Sequence, residues 1–427
     1  MGQKLLTVSL ACSMRILIYS QFCTPEPIFK SVPFARELTD RGHEVRIVTG
    51  FPNYPGGKIY DSYKIRIWQK EEIEGIPILR TPLFPSHDSS AVRRLINYST
   101  FAATSSVPLL CGWKPDVVYV YTLVSLSLVA SVARVLRGVP SVVDVQDIWP
   151  DSLFQAGMAA GWMKPALNWF CNAAYKGATQ LVTSSPGMAQ LLMARNRPPR
   201  PVEVIYNWCD ERQLLTSETS GESALEFQSG RWFNVVFAGN IGMVQGLQHV
   251  IEAAAKAYKI NPRIRFVFMG TGVALEELKM KAAQRAPHNT LFLPSRPIRE
   301  AGAILRQADA LLIHLQKASL FEITIPGKTQ AYLALGKPIV MAVKGDAADL
   351  VKRAGAGVVV EPESPDCLAE AVSRLAALPT DSLTAMGNNG MKFYHRELSL
   401  KIGVSKFEDL FDRVVTEKRQ RTSASRK

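Results

Sequence analysis

The clearest structural signal in this chain is residues 321–342, FEITIPGKTQAYLALGKPIVMA. Pro326-Gly327-Lys328 ends the polar segment that precedes it. An apolar helix is predicted over 329–335, ending at Gly336. The segment Pro338-Ile339-Val340-Met341 follows at once and predicts a buried strand. A helix that leads so directly into a buried strand is typical of a parallel α/β sheet.

The start of this helix also predicts a binding site for an anion. A helix N-terminus presents unpaired N–H groups and a partial positive charge, which suit a phosphate. Lys328 adds a full charge there, with Pro326, Gly327 and Thr329 beside it, and Glu322 offers an acceptor for a hydroxyl-rich ligand. We therefore predict recognition of a sugar nucleotide.

Alternating strands and helices continue through both halves of the chain. Apolar runs without alternation fit parallel strands that are buried on both faces. Strands are predicted in the first half at 14–20, 44–50, 76–81, 116–121, 140–146 and 179–184. The second half repeats the pattern at 232–239, 264–270, 290–293, 308–315, 338–343 and 357–361.

These patterns predict an α/β protein with two doubly wound, Rossmann-like domains that face each other across a cleft. The segment 207–230 is rich in Glu, Ser and Thr and is the expected junction. We place a first domain over 14–208 and a second over 209–410. Residues 1–13 are an N-terminal extension, with Met1 or Met14 as the start, and 411–427 form a basic C-terminal tail.

Bulk composition is that of a globular protein with a basic character. The chain has 427 residues, 47% hydrophobic and 20% charged, which excludes a disordered protein. The net charge of +13 favours polyanionic partners such as phosphorylated substrates, anionic lipid or nucleic acid. The six cysteines show no CxxC pattern and read as reduced thiols of a cytoplasmic protein.

Two strand ends in the second half carry glycine-rich turns. Glycines there let the backbone approach an anion closely, although they are equally often purely conformational. The candidate binding residues at these turns are Gly239, Asn240, Gly242, Gln245, Gly270 and Gly272. His314 ends a further strand of the same half and joins the candidates, although a lone His is more often structural.

In the first half, the predicted strand 140–146 runs into Asp147. Its position at the strand end indicates a role at the reaction centre, with a structural turn as the alternative. Asp144 falls within the strand and is expected to be buried or paired. Pro25-Glu26-Pro27 follows the first strand and is either part of an acceptor loop or a plain turn.

Two uncharged stretches raise the question of a membrane. Residues 117–133 read as a strand, a turn and a Ser-rich buried helix, and they are short for a bilayer span of about 20 residues. Residues 95–113 follow Arg93-Arg94 and predict either an interfacial helix with a basic collar or an ordinary core helix.

Several separated motifs resemble a known family. In order they are VVDVQDIWPDSL, VIYNWCD, AGNIG, GTG and PGKTQAYLALGKPIV, from residue 142 to residue 340. This order resembles the retaining GT-B glycosyltransferases of family 4, in the bacterial branch that builds O-antigen and capsule and includes L-fucosaminyltransferase-like enzymes. The resemblance covers the chain from Met14 to about residue 410.

The resemblance implies a transferase that moves a sugar from a nucleotide-diphosphate donor, with UDP and an N-acetylated sugar expected, to a lipid-linked glycan. The donor belongs to the second domain and the acceptor to the first. Glu322 and Lys328 would be catalytic together with Asp147. The protein would work at the cytoplasmic face of the inner membrane in lipopolysaccharide, capsule or exopolysaccharide synthesis, and the basic tail fits that place.

The chain also departs from the family pattern. The Arg and Lys of the family's phosphate clamp are replaced by Asn240 and Gln245, and a ribose-binding Glu is replaced by Ala331. Lys328 is then the main cation expected for the diphosphate. Because no DxD triplet occurs, we expect no metal and no cofactor, with the leaving-group charge neutralised by fixed donors.

Three other functions stay open at this point. A non-hydrolysing UDP-sugar 2-epimerase would share the fold and the donor. A catalytically silent sugar-nucleotide-binding subunit would fit the lost Arg, Lys and Glu. A nucleic-acid-binding role rests on positive charge alone, without a recognition motif.

Overall fold

The computed structural model describes residues 13–86, 91–151, 154, 161–215 and 231–424. Residues 1–12 of the predicted N-terminal extension, most of the predicted junction 207–230 and the last three residues of the predicted tail lie outside these ranges. Contacts between residues divide the chain into two compact units. The first comprises 1–183, 191–203 and 404–427, and the second comprises 184–190 and 204–403.

The first unit is built on an eight-stranded sheet in the order β3-β4-β2-β1-β5-β6-β7-β8. Its strands are β1 (Arg15–Ser20), β2 (Glu44–Gly50), β3 (Gln69–Ile73), β4 (Ile76–Thr81), β5 (Val117–Tyr121), β6 (Ser141–Val145), β7 (Gln180–Thr183) and β8 (Glu203–Val204). Its helices are α1 (Val32–Asp40), α2 (Ala91–Cys111), α3 (Val124–Arg137), α4 (Lys164–Gly177) and the second part of α5 (Pro186–Asn196). A 3-10 turn, Gly161–Met163, precedes α4.

Two strands of this sheet, the edge strand β3 and the two-residue β8, were not predicted from the sequence. β3 pairs antiparallel with β4 at the sheet edge. Glu74 and Gly75 form the tight turn between them, both with positive φ angles (51° and 79°), as two-residue hairpins require. Its sequence QKEEI is dominated by charge, which suits an exposed edge but hides the strand from a hydrophobicity pattern.

The second unit is built on a six-stranded, wholly parallel sheet in the order β11-β10-β9-β12-β13-β14. Its strands are β9 (Phe233–Ala238), β10 (Ile264–Met269), β11 (Thr290–Leu293), β12 (Ala310–His314), β13 (Ile339–Ala342) and β14 (Gly357–Val359). Its helices are α6 (Glu211–Leu215), α7 (Leu247–Ile260), α8 (Leu275–Arg285), α9 (Ile298–Arg306), α10 (Ser319–Glu322), α11 (Gly327–Leu335), α12 (Asp346–Ala354), α13 (Pro365–Ala376) and α14 (Thr380–Glu397).

Both faces of the second sheet are covered, as the uninterrupted apolar runs predict. Along β9, Val235 and Phe237 belong to one hydrophobic core while Val236 belongs to the other. Helices on both faces of a parallel sheet define a doubly wound fold. The prediction of two Rossmann-like α/β domains is confirmed.

The last helix, α15 (Leu400–Ala424), returns the chain to the first unit. Phe407 is fully buried, and its ring lies 5.3 Å from that of Phe34 and 5.2 Å from that of Tyr119. The described part of the predicted basic tail is therefore the end of a packed helix. The changeovers nearest the predicted boundaries lie at 203/204 and 403/404, several residues earlier, and residues 184–190 also belong to the second unit. The changeover at 403/404 precedes the predicted boundary because α15 packs its aromatic side chains into the first unit.

A buried charge network lies beneath the carboxyl end of the first sheet. The Lys30 ammonium donates to Asp144 Oδ2 at 2.6 Å, and both side chains are fully buried. The Tyr119 hydroxyl donates to the same oxygen at 2.6 Å, and Gln146 Nε2 donates to Oδ1 at 2.5 Å. Burial lowers the pKa of Lys30, and Asp144 opposes that shift. The expectation that Asp144 is buried or paired is confirmed.

No helix within the described ranges is long and apolar enough to cross a bilayer. Residues 117–133 form β5, a turn and most of α3, as predicted. Residues 95–113 lie largely in α2, whose Phe101 is buried while Leu95 and Ile96 are exposed.

Candidate functional site

The predicted anion site lies at the start of α11 in the second unit. The helix begins at Gly327, one residue before the predicted cation, with Pro326 at the cap position. Because proline has no N–H and its φ angle is fixed, it starts a helix without adding an orphan donor. The Thr329 N–H is bonded to the Pro326 carbonyl oxygen at 2.8 Å, which leaves the Gly327 and Lys328 N–H groups as the donors at the helix start.

Lys328 is seated by an aromatic ring and a glycine. Its Nζ lies 3.4 Å from the centroid of the Phe237 ring on β9. Gly239 follows that strand with φ of +122°, and a Cβ there would lie 2.9 Å from Lys328 Cε. The aromatic face attracts the ammonium, and the missing side chain gives it room.

The environment of Lys328 gives its ammonium an unusual charge balance. Burial lowers the pKa of Lys328 from 10.5 to about 7. Among the residues that the structure describes, no carboxylate forms an ion pair with it. Partial loss of water destabilises the charged form of this amine, and no carboxylate compensates for it. A bound anion would restore the lost electrostatic stabilisation, so the site favours anion binding.

Tyr332, one helical turn after Lys328, ties α11 to the end of β9. Its buried hydroxyl accepts a hydrogen bond from the Ala238 N–H at 3.0 Å. This bond fixes the loop at Gly239 relative to the helix. Sequence reasoning missed both Tyr332 and Phe237, because each reads as an ordinary apolar core residue.

The loop after β9 is held in shape by a hydrogen bond between two of its own residues. Gln245 Oε1 accepts a hydrogen bond from the Gly242 N–H at 3.1 Å. Asn240 folds back, and its side-chain amide lies within 3 Å of the positions that Cβ atoms on Gly242 and Gly272 would occupy. Neither side chain is charged, so the side chains of Asn240 and Gln245 add no cation beside Lys328.

His314 holds the same loop in place through its ring nitrogens. Its Nδ1 lies 2.6 Å from the Gln245 carbonyl oxygen, and its Nε2 accepts from the Glu363 N–H at 3.3 Å. The proton is therefore on Nδ1. Burial lowers the pKa of His314 to about 4, so the ring is neutral. Both nitrogens contact backbone, and His314 positions the loop rather than presenting a free donor.

Gly270 and Gly272 allow two loops to pack backbone against backbone. A Cβ on Gly270 would lie 1.9 Å from the Gly239 carbonyl oxygen, and one on Gly272 would lie 2.3 Å from the Ile241 carbonyl oxygen. These glycines support the shape of the loop that carries Gly239. The structure gives them this packing role beside the binding role that the sequence predicts.

Glu322 is exposed at the end of the short helix α10. Its backbone is held tightly, because a Cβ on Gly345 would lie 1.8 Å from the Glu322 carbonyl oxygen. The close approach fixes the chain before α11. The Glu322 carboxylate itself is left open to solvent.

Thr329, the remaining candidate on α11, is fully buried, and no hydrogen-bond partner in the described structure reaches its Oγ1.

Three more charged residues follow neighbouring strands of the same sheet. Lys317 and Lys344 each lie 3.0 Å from Glu361, at the ends of β12, β13 and β14. The two lysines lower the pKa of Glu361.

Asp147 belongs to the first unit and lies just after β6. Protein atoms around this exposed carboxyl exclude part of its water and raise its pKa, and the charge of Arg94 opposes that shift. Glu26, in the predicted Pro25-Glu26-Pro27 loop of the same unit, has a structural role. It accepts N–H bonds from Cys23, Asn53 and Tyr54 at 2.8–2.9 Å and so joins two loops.

Within the described ranges, no three His, Cys, Asp or Glu side chains cluster in a way that could hold a metal ion.

Two protein-family profiles match this chain in succession. Residues 33–208 match the family described as "Glycosyl transferase 4-like domain". Residues 233–377 match the family described as "Glycosyl transferases group 1". The first match lies mainly in the first unit, and the second lies within the second unit.

A curated relative matches over nearly its full length. It is the "Putative colanic acid biosynthesis glycosyl transferase WcaI" of Escherichia coli strain K12. The identity is 27% over 390 residues, covering 87% of this chain and 94% of that protein.

Solved structures share the fold at low sequence identity. Anabaena Alr3699/HepE, solved with UDP and glucose, has a TM-score of 0.65 at 16% identity, covering 93% of this chain and 99% of that one. Sucrose-phosphate synthase from Thermosynechococcus elongatus has a TM-score of 0.67 at 12% identity, covering 94% and 100%. The E. coli trehalose-6-phosphate structure with UDP-2-fluoro glucose reaches 0.69 at 12% identity, covering 93% and 99%.

Proposed function

We propose, from the premise that this chain is a group 1 glycosyltransferase with the GT-B fold, that it is a retaining, family 4-type enzyme of cell-surface polysaccharide synthesis. It transfers a sugar from a nucleotide-diphosphate donor to a lipid-linked glycan. The observation that carries the donor site is Lys328, seated on Phe237 at the first turn of α11.

The site suits a diphosphate because its charge is concentrated and pre-positioned. Lys328 supplies a half-buried amine that is protonated when it holds a diphosphate, and the N-terminus of α11 supplies backbone N–H groups and a dipole. The loop from Gly239 to Gln245 adds backbone donors without a second charged side chain. In a water-poor site such fixed donors stabilise the charge that develops on the leaving diphosphate.

UDP is the proposed nucleotide, with an N-acetylated sugar as the proposed glycosyl group. Alr3699/HepE was solved with UDP and glucose, and the trehalose-6-phosphate structure carries UDP-2-fluoro glucose. Those ligands belong to those proteins. They make UDP the first nucleotide to test here.

The proposed pathway is exopolysaccharide, O-antigen or capsule synthesis at the cytoplasmic face of the inner membrane. The colanic acid name of the E. coli relative supports an exopolysaccharide product. A lipid-linked acceptor would be held by the first unit, where Asp147 would orient the attacking hydroxyl.

Glu322 and Lys328 would act on the donor. The exposed Glu322 carboxylate would contact hydroxyls of the transferred sugar, while Lys328 would hold the diphosphate as the anomeric bond breaks. Since the sequence has no DxD triplet, we propose that no metal bridges the diphosphate. Transfer would then proceed through an oxocarbenium-like transition state.

The function is tested by a donor screen against a lipid-linked acceptor fraction. The chain is incubated with UDP-, GDP- and dTDP-sugars, and transfer of label to the lipid phase is measured. We expect transfer from a UDP-sugar, with the anomeric configuration retained. An epimer formed without acceptor would favour the 2-epimerase, and donor binding without transfer would favour a silent binding subunit.

The binding of UDP should depend on pH through Lys328. With a pKa of about 7 in the free protein, the amine is largely neutral above pH 8 and must take up a proton to hold a diphosphate. Affinity should therefore fall as pH rises from 7 to 9, by up to about tenfold per unit. Isothermal titration calorimetry in buffers of different ionisation enthalpy measures both the affinity and the proton uptake.

The control for this dependence is Lys328→Arg, whose guanidinium stays charged throughout the range. That variant should lose the slope and the proton uptake. An equal slope in both proteins would assign the titration to another group.

Gly239→Ala should disturb Lys328 without touching its charge. The new Cβ would lie 2.9 Å from Lys328 Cε, on a backbone with φ of +122°. We expect UDP affinity to fall about tenfold, equivalent to about 1.4 kcal/mol. The measurement is a UDP titration of both proteins.

Gly138→Ala is the matched control, because Gly138 also has positive φ (+64°) but nothing lies within 4 Å of its added Cβ. It should bind UDP like the parent protein. If Gly239→Ala also bound UDP normally, the placement of Lys328 against Gly239 would be unimportant for the donor.

A further inference from the structure

Helix α3 of the first unit is apolar on two opposite faces. Its inner face is buried through Val124, Leu126 and Ala130. On its outer face, Val135 and Leu136 are 76% and 69% exposed. A helix that is hydrophobic all round is normally covered on all sides, so the outer face of α3 lacks a cover within the described chain.

The outer face of α3 continues into an open groove against α2. Its apolar lining is Leu110, Leu128, Val129, Val132, Val135 and Leu136. Two serines complete the groove, but their hydroxyls donate to their own helices, Ser106 to the Ala103 carbonyl at 2.6 Å and Ser131 to the Ser127 carbonyl at 2.8 Å. The groove therefore offers little to a polar partner.

Helix α4 packs against the same helix α3. The Ser127 hydroxyl donates to the Ala174 carbonyl at 2.9 Å, and Gly177 lies directly against Ser131. Two tryptophans project from this region, Trp162 on the 3-10 turn and Trp169 on α4, at 82% and 73% exposure. Exposed tryptophan is unfavourable in water and common at the boundary between lipid and water.

The charge on these elements has one sign. The ranges 91–111, 124–137 and 161–177 together hold 52 residues, with six Arg or Lys and no Asp or Glu. The six are Arg93, Arg94, Arg134, Arg137, Lys164 and Lys176. Acidic residues are otherwise common in this chain (37 of 427), so their complete absence selects for a negatively charged partner.

We propose that this surface, formed by α2, α3, α4 and the turn at Trp162, docks the protein onto an anionic phospholipid bilayer. The valine and leucine side chains and the two tryptophans enter the headgroup boundary, while the exposed Arg134, Lys164 and Lys176 meet lipid phosphates. The protein lies on the membrane through helices that run along its surface. The value of this docking for a lipid-linked acceptor rests on the proposed function, but the docking itself does not.

A second copy of the chain fits this surface less well. A twofold contact would place the same six positive charges against each other without an acidic residue from these elements between them. A bilayer that contains phosphatidylglycerol supplies both the negative charge and the apolar layer that the surface lacks. Charge and hydrophobicity therefore favour the same occupant.

The experiment is co-sedimentation of the full chain with vesicles, in the absence of donor and acceptor. Vesicles of phosphatidylethanolamine and phosphatidylglycerol are compared with vesicles of phosphatidylcholine alone. We expect binding to the anionic vesicles, a blue shift of tryptophan fluorescence, and loss of binding as salt is raised from 0.1 to 1 M. The double variant Val135→Glu/Leu136→Glu should bind about tenfold less, since two charges replace apolar contacts.

The control is Ile67→Glu/Met280→Glu, which makes the same charge change at two other exposed apolar residues. It should bind vesicles like the parent protein. Equal binding by the Val135/Leu136 variant, or no binding of the parent protein to anionic vesicles, would overturn the proposal. A parent dimer in light scattering that becomes a monomer in this variant would assign the face to a second copy and overturn it as well.

These results are separable from the proposed function. Vesicle binding without any glycosyl transfer would leave the docking surface standing and remove the transferase. Transfer to a lipid-linked acceptor with no vesicle binding would do the reverse.

Discussion

Replacing Lys328 by alanine is expected to lower kcat/KM for glycosyl transfer by about 100- to 1000-fold, the range seen when one fixed transition-state donor is removed. The ammonium is partly desolvated and rests on the Phe237 ring, so water replaces it poorly. The fold should be unaffected, because no carboxylate in the described structure depends on Lys328. Steady-state kinetics with the donor found in the screen measures the loss.

Lys337→Ala is the matched control for this variant. Lys337 lies just past the other end of α11, and burial lowers its pKa too, with Asp309 opposing the shift. Its removal makes the same charge change and should leave kcat/KM within about twofold. Equal losses in the two variants would mean that net charge, and not the position of Lys328, is what matters.

Asp144→Ala should destabilise the first unit by about 3–5 kcal/mol, the usual result of removing one partner of a buried ion pair. The Lys30 ammonium would remain in a site without water, beneath the Phe407 ring that lies 5.2 Å away. Urea unfolding of the two proteins measures the difference.

The pH dependence of this loss follows from Lys30. Burial already lowers its pKa, and without Asp144 the shift can only grow. The unfolded chain then holds one more proton than the folded chain between the lowered pKa and 10.5, so the variant should gain stability as pH rises through that window. A variant whose deficit does not shrink at high pH would contradict the buried pair.

Asp40→Ala controls for the loss of a carboxylate. Asp40 pairs with Arg36 at 3.0 Å on the surface, with both side chains about half exposed. Exposed pairs contribute at most about 1 kcal/mol, so this variant should unfold almost like the parent protein.

The strands of both sheets could be predicted because most are uniformly apolar. β2, β4 and β11 begin and end where the sequence places them, since turn residues bound each run. The edge strand β3 was missed because its residues are charged and its pairing is set by the turn at Gly75. The return of α15 to the first unit was missed because a helical pattern does not say what covers its apolar face.

The candidate site was predictable where the signal is local. Lys328, Pro326 and Gly327 follow from the helix start, and Gly239 follows from the strand end. Phe237 and Tyr332 were missed because each looks like an ordinary core residue in sequence. The Phe237 ring reaches the Lys328 ammonium, and the Tyr332 hydroxyl reaches the Ala238 N–H, only because β9 packs against α11 in the fold.

His314 shows the opposite case. Its position at the end of β12 predicted a ligand contact. In the structure, both ring nitrogens form hydrogen bonds with backbone atoms of neighbouring loops. The partners are a carbonyl 69 residues earlier and an N–H 49 residues later. Such contacts between distant parts of the chain leave no trace in the local sequence.

The most direct test of the donor site is the distance from Lys328 Nζ to the nearest phosphate oxygen in a crystal structure with bound UDP. We predict a distance of about 2.7–3.2 Å, with the diphosphate also against the first N–H groups of α11. A diphosphate bound elsewhere, with the Lys328 ammonium left facing Phe237 and water, would contradict the account.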